Sequence, residues 1–251
     1  LSETPGSFDF SNLQNAKIYV PSDRYMKYLT AWGKHPGNAG NVLLAEDEGN
    51  EEFVEDDTCI YSLDGKTLLA VKGDVRGTLI VKEGVEIIAE NALEGCGLID
   101  RMILPGTISK LESGSLSVNA PERIVFLGTD APEIYADTFA DTTKLQVLKS
   151  AQENYISAWS SVLGERTNQI HFKEYQMVEG GEEGFTYLSE GACEQADEPA
   201  GAVLLMAPAG LSSFNAGSKS DVTWKEIASG AFAGNQALFM VEVPDTVTYI
   251  G

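Results

Sequence analysis

Histidine is almost missing from this chain. His35 and His171 are the two among 251 residues. A Ser-His-Asp mechanism would have to run through one of them, and neither has a Gly-x-Ser-x-Gly nucleophile elbow near it. Cysteine is scarce too. Cys59, Cys96 and Cys193 are odd in number and far apart, which argues against a disulfide framework and a Cys-rich metal site. Cys96, in Glu94-Gly95-Cys96-Gly97, reads as a buried structural thiol. Basic residues number 17 against 38 acidic ones, for a net charge of −21 and a pI near 4.3. Such a field repels nucleic-acid phosphates and anionic head groups, so neither nucleic acid nor a membrane surface is expected as a partner. No apolar run reaches the ~20 residues of a membrane span. Leu1-Ser2-Glu3-Thr4-Pro5 has neither the basic nor the apolar region of a signal peptide and reads as a mature or truncated start. No Gly-rich loop joins a strand to a helix, and Gly180-Gly181 lies between acidic residues, the wrong charge for holding phosphate. No cofactor and no metal are expected.

What is present is repetition. Glu86-Ile87-Ile88-Ala89-Glu90-Asn91-Ala92-Leu93 returns as Lys110-Leu111-Glu112-Ser113-Gly114-Ser115-Leu116, as Glu133-Ile134-Tyr135-Ala136-Asp137-Thr138-Phe139 and as Glu226-Ile227-Ala228-Ser229-Gly230-Ala231-Phe232. Ile88, Leu111 and Ile134 stand 23 residues apart, as do Ile227 and Ile250. A step of 20–29 residues is a signature of a leucine-rich-repeat solenoid. Each repeat has a second landmark, a short strand such as Met102-Ile103-Leu104-Pro105 or Val241-Glu242-Val243-Pro244, with Val125-Phe126-Leu127-Gly128 at the matching offset. Proline suits a strand end because it cannot donate the next ladder hydrogen bond. Alternation then predicts Met102, Leu104, Val125, Leu127, Val241 and Val243 facing the core. Arg101, Ile103, Ile124, Phe126, Met240 and Glu242 should face outward.

A longer repetition encloses the shorter one. Lys17-Ile18-Tyr19-Val20-Pro21 with Tyr28 and Trp32 is echoed by Lys144-Leu145-Gln146-Val147-Leu148 with Tyr155 and Trp159. Each copy reads as a strand and then a short helix. Tyr25, Tyr28, Leu29 and Trp32 fall on one helical face, as do Tyr155, Ile156 and Trp159. Ser22 and Ser150 are candidate N-caps, Asp23 sits in the first turn, and Pro36-Gly37 end the first helix. These aromatics read mainly as packing that closes one end of a stack, with a carbohydrate-stacking platform as the sharper alternative. Asp64-Gly65-Lys66 between two apolar runs signals a hairpin. A looser counterpart runs from Phe185-Thr186-Tyr187-Leu188 to Val203-Leu204-Leu205-Met206. The expected layout is the end of one unit (1–45), a full unit (46–176) and the start of a third (177–251). The chain stops at Tyr249-Ile250-Gly251, where a further repeat should begin. Either it is a piece of a larger protein or its last repeat is open.

Ala92-Leu93-Glu94-Gly95-Cys96 with Leu104-Pro105, Ile227 with Ala231-Phe232-Ala233-Gly234-Asn235 and Val243-Pro244, and Tyr19-Val20-Pro21 with Ala31-Trp32 together resemble the bacterial BspA-like leucine-rich-repeat family. Asn119-Ala120-Pro121 and the stretch 189–225 depart from its pattern. The resemblance implies a secreted or cell-surface protein that adheres to an extracellular protein or glycan, without a shared catalytic motif.

The expected fold is therefore an α/β repeat, a right-handed leucine-rich-repeat solenoid with short strands, interspersed hairpins and short helices. The expected function is a non-catalytic binding or adhesion module. Its candidate ligand face is Arg101, Ile103, Ile124, Phe126, Met240 and Glu242, since exposed apolar area often marks an interaction site. A structural spacer is the alternative, and a carbohydrate-active hydrolase a more distant one. With 38 acidic residues, carboxylate pairs of glycosidase spacing arise by chance. The acidic run from Glu46 to Asp57 lacks the order of a calcium loop and reads as a solvated linker.

Overall fold

The computed structural model describes residues 13, 15–21, 24–32, 42–45, 53–73, 75–96, 99–180, 184–193, 200–215 and 222–251. Ser22, Asp23, His35, Pro36, Gly37, Glu46 to Glu52 and Gly181 lie outside these residues. The first strand is β1 (Lys17–Val20), followed by α1 (Tyr25–Trp32) and β2 (Val42–Ala45). The middle of the chain holds β3 (Phe53–Glu55), β4 (Cys59–Ser62), β5 (Thr67–Val71), β6 (Gly77–Ile80), β7 (Ile87–Ile88), β8 (Ile99–Leu104), β9 (Lys110–Leu111), β10 (Arg123–Phe126), β11 (Lys144–Leu148), α2 (Gln152–Leu163) and β12 (His171–Lys173). The remainder is β13 (Tyr175–Val178), β14 (Thr186–Glu190), β15 (Gly201–Met206), β16 (Ser213–Asn215), β17 (Trp224–Ile227), β18 (Met240–Glu242) and β19 (Tyr249–Ile250).

These strands form three five-stranded sheets and two two-stranded ribbons. Sheet I is β3-β4-β5-β7-β9, sheet II is β12-β11-β10-β8-β6, and sheet III is β13-β14-β15-β17-β19. The ribbons are β1-β2 and β16-β18. Sheets I and III each begin with three antiparallel strands and continue in parallel pairs, while sheet II is parallel throughout.

This corrects the expected fold class. Strands dominate, and there are two α-helices among the described residues, so the chain is not an α/β leucine-rich-repeat solenoid. The segment between β7 and β8 shows why. Residues 90–95 within it run as consecutive turns, with Asn91 at φ 56° and Gly95 at φ 81°. Left-handed residues at that spacing stop a helix from propagating.

The short repeat survives as register. Ile87 pairs with Lys110 and Ile88 with Leu111, and Lys110 bridges to Glu133, each a step of 23. In sheet II β6 and β8 keep the step of 23, but between β8 and β10 it is 22: Arg123 pairs with Arg101 and Ile124 with Met102. One residue of slip exchanges the two faces of a strand. Ile124 and Phe126 therefore join Met102 and Leu104 in the core shared with Ile88, Leu111 and Ile134. Val125 turns to the other side with Ile103, and Leu127 packs there too. The inward placement of Val125 and Leu127 is thus reversed.

The other side of sheet II is not solvent. Ile103 and Val125 are buried against Leu188, Val203 and Leu205 of sheet III and against Ala228. Sheet II is covered on both faces, as parallel sheets generally are. A third cluster, Phe185, Leu204, Phe214, Trp224 and Ile227, fills the space between sheet III and the β16-β18 ribbon. At the other end, Val20, Tyr25, Leu29 and Leu43 pack on Ile60 and Ala70 of sheet I.

α2 closes one side of the first core. Tyr155 and Trp159 are buried and cluster with Phe126 and Phe139 at ring separations of 4.8–6.2 Å. Their polar ends donate to main-chain carbonyls, Trp159 Nε1 to Pro132 at 2.8 Å and Tyr155 OH to Gly128 at 3.3 Å. Such satisfied aromatics are packing residues, and they offer no platform to a sugar. Ile156 instead faces outward at 38% exposure, and Ser150 precedes α2 in a 3₁₀ turn, with Ala151 at the N-cap and no side-chain cap.

Candidate functional site

The six nominated residues do not form one face. Arg101, Ile103, Ile124 and Phe126 are 0–2% exposed, which removes them as a partner surface. Ile124 and Phe126 lie in the core between sheets I and II, while Ile103 lies in the seam between sheets II and III. Met240 and Glu242 remain at the surface, on β18. Val241 and Val243, expected to be buried, are 40% and 43% exposed.

The surface around β18 is apolar. Phe239 is 78% exposed and Met240 42%. Parallel pairing to β16 holds the strand, with Phe214 opposite Val241 and Asn215 opposite Glu242. Asn215 also donates to the Glu242 carboxylate. In the neighbouring sheet β19 is the edge strand, with Ile250 59% exposed. Edge strands with apolar side chains present unpaired backbone groups ready for another strand.

The second feature is a charged cleft in the seam, which sequence reasoning missed. Arg101 and Arg123 stand opposite one another in adjacent strands. Both guanidiniums donate to Glu226 Oε2 of β17, at 2.9 and 3.0 Å. Burial pushes the Glu226 carboxyl up, but the two arginines outweigh it and hold the group below its ordinary range. Burial acts against Arg123 as well, and its charge is held by Glu226 first and Glu122 after it. Along the same seam Lys173 of β12 and Lys225 of β17 share Glu190 Oε2 of β14, Lys173 at 3.3 Å.

A cavity of about 210 Å³ opens beside these pairs, lined by Arg123, Lys144, Gln146, Glu190, Lys225, Glu226, Thr248 and Tyr249. Gln146 and Glu190 are each 4% exposed. Gln146 Oε1 and Glu190 Oε1 have no hydrogen-bond partner among the described residues. Two of the lining cations face Glu122 Oε1, Arg123 Nε at 3.8 Å and Lys144 Nζ at 3.9 Å, with Lys144 and Glu122 both about half exposed. The Arg123 guanidinium lies 5.3 Å from the centre of the Tyr249 ring.

A larger hollow of about 590 Å³ is lined by Arg76, Cys96, Asp100, Asn119, Pro121 and Glu122 among others. Burial pushes the Cys96 thiol up to about 11, with Arg76 opposing. Cys59 is likewise pushed up to about 11 by burial. Both thiols stay protonated at neutral pH and are poor nucleophiles. In the acidic run, Asp56 accepts hydrogen bonds from the Thr58 and Cys59 amides at 2.9 and 2.8 Å, so this carboxylate closes a turn. No group of three or more His, Cys, Asp or Glu placed to hold a metal occurs among the described residues. No described helix is long and apolar enough to cross a membrane.

Comparison with protein-family models, with curated proteins and with solved structures finds no match.

Proposed function

We propose that the chain is a non-catalytic binding module, secreted or displayed on a cell surface, that engages an extracellular protein through the β18 surface. The carrying observation is the apolar surface of Phe239, Met240, Val241 and Val243, 40–78% exposed and interrupted by Glu242, on a chain of net charge −21. Strong charge keeps such a chain soluble and apart from its own copies, and an apolar strand on that background favours pairing with a complementary segment. The stacked sheets behind it support the reading, because a rigid base limits the entropy lost on binding.

The test is an array of purified extracellular proteins and glycans probed with the chain and with its Met240→Lys/Val241→Lys variant. The expected result is binding to one or more proteins that the double variant loses while its melting temperature is kept. Silence across the array, or binding indifferent to the variant, overturns the reading and favours a structural spacer. Hydrolysis of any arrayed glycan would favour the hydrolase instead.

A further inference from the structure

We propose that the partner engages β18 through an extended segment that pairs parallel to it, with two apolar residues set against Val241 and Val243 and a basic residue between them beside Glu242. This rests on the protein-binding reading and names the kind of segment that fits there.

The chain carries its own template for this contact. Met240-Val241-Glu242-Val243-Pro244, continued to Ile250, matches Arg101-Met102-Ile103-Leu104-Pro105, continued to Leu111, position by position. The fold repeats with the sequence. Ile250 pairs with Ile227 as Leu111 pairs with Ile88. The Thr248 amide donates to the Lys225 carbonyl at 2.9 Å, and the Ser109 amide to the Glu86 carbonyl at 2.8 Å. The two stretches differ in what lies over them. Met102, Leu104 and Leu111 are each 0% exposed, whereas Val241, Val243 and Ile250 are 40%, 43% and 59% exposed.

The segment Arg123–Ile134 covers the first stretch. β10 pairs with β8 in parallel, placing Ile124 and Phe126 opposite Met102 and Leu104. Farther along, Glu133 donates to the Ser109 carbonyl and accepts from the Leu111 amide, both at 2.9 Å. β18 and β19 are the last strands of their ribbon and sheet, and no described strand pairs with their outer edges. Phe214, opposite Val241, is buried with Trp224 and Ile227. Registered neighbours share a face and alternate residues share it too, so Val241 and Val243 border that core. Apolar side chains arriving opposite them extend it, as Ile124 and Phe126 extend the first core.

The middle position selects the partner. In the first stretch Ile103 stands opposite Val125, both buried against sheet III. Its counterpart in the second is Glu242, which is exposed. Asn215 donates to the Glu242 carboxylate, and a carboxylate accepts up to about four hydrogen bonds. A lysine or arginine opposite Glu242 gains an ion pair, while an acidic residue there is repelled. The net charge of −21 acts in the same direction.

The experiment is a fluorescence-anisotropy titration of the full chain against a labelled peptide copying Arg123–Ile134 with Val125→Lys. Salt of about 0.15 M screens charges farther than about 8 Å apart. Saturable binding is expected. A peptide of the same composition, in which that lysine and Phe126 exchange places, turns the charge toward the core and should bind at least ~10-fold more weakly. Ile250→Lys should weaken the first peptide about tenfold, because its C-terminal half lies over β19 only when the strands run parallel. Glu242→Lys should weaken it about threefold and favour a Val125→Glu peptide instead. Both positions are exposed, so both variants should keep the parent melting temperature. A titration without saturation, parity with the exchanged peptide, or indifference to Ile250→Lys or Glu242→Lys overturns the proposal. Array partners lost by Met240→Lys/Val241→Lys, together with a silent peptide, would strike this proposal and leave the protein-binding reading standing. A silent array with a bound peptide would do the reverse.

Discussion

Sheet II has two sides, and they are built differently. Toward sheet I it meets an aromatic and aliphatic core in which Phe126, Phe139, Tyr155 and Trp159 interlock. Toward sheet III it meets aliphatic residues, Ile103 and Val125 against Leu188, Val203 and Leu205, bordered by buried ion pairs. Apolar contact is non-directional, so the first side supplies stability with little demand on angle. Ion pairs at 2.9–3.3 Å lose their value with small displacements, so the second side fixes how the two sheets sit on one another.

Substitutions can break this contrast. The largest loss is expected from Trp159→Ala, which opens a cavity at the centre of the aromatic cluster. Chemical denaturation should show a cost of about 3–5 kcal/mol. Next is Glu226→Ala, which leaves Arg101 and Arg123 facing each other in the seam, at about 3 kcal/mol by the same measurement. Replacing all three as Arg101→Met, Arg123→Met and Glu226→Leu sharpens the point. The triple variant should lose much less than Glu226→Ala alone, because an ion cluster replaced whole by apolar groups is often neutral. A triple variant less stable than the single one would show that the charges themselves hold the seam together.

Acid offers a smaller and reversible version. Glu226 is held below its ordinary value of 4.5 in the folded chain. Its contribution is therefore fully present above that value and lost as pH falls through the lower folded value. Paired denaturation curves of the parent and Glu226→Gln should differ at neutral pH and converge in acid. A gap that persists below the folded value would refute the assignment. The smallest effect is expected at the open edge, where Met240→Lys should change stability by no more than about 0.5 kcal/mol.

The sequence read well where contacts are local and poorly where they are distant. Ile88, Leu111 and Ile134, chosen from spacing, are 0–7% exposed in one core. The 23-residue step was visible because it is set by parallel neighbours in sheet I. Carrying the same offset into sheet II failed, since β8 and β10 are related by 22. That single residue reversed Ile124 and Phe126 with Val125. The second failure was to assume that one face of each strand meets water. The partners of Ile103 lie far along the chain, at Leu188 and Val203, and no local pattern reports them. A signal was nevertheless present. Met102-Ile103-Leu104, Ile124-Val125-Phe126 and Ala202-Val203-Leu204-Leu205 are unbroken apolar runs, which fit a strand buried on both faces. The charged cleft was hidden for the same reason, because Arg101 and Glu226 are 125 residues apart. The two short helices read from the Tyr and Trp spacing are present as α1 and α2, while the α/β class failed because the repeats between strands run as turns, with Asn91 and Gly95 at left-handed angles.

The opposed arginines of β8 and β10 have a consequence for folding errors. Because β10 is apolar on both faces, a strand that docks one residue out of frame still buries hydrophobic side chains on each side. Apolar burial alone barely separates the correct docking from the slipped one. Arg123 does separate them, because a one-residue slip swings it away from Glu226 and into the aromatic core, where a lone cation is strongly disfavoured. The pair of arginines thus serves as a parity check on strand docking. A chain lacking it should fold more slowly, delayed by out-of-frame traps that must reopen before the last sheet can close.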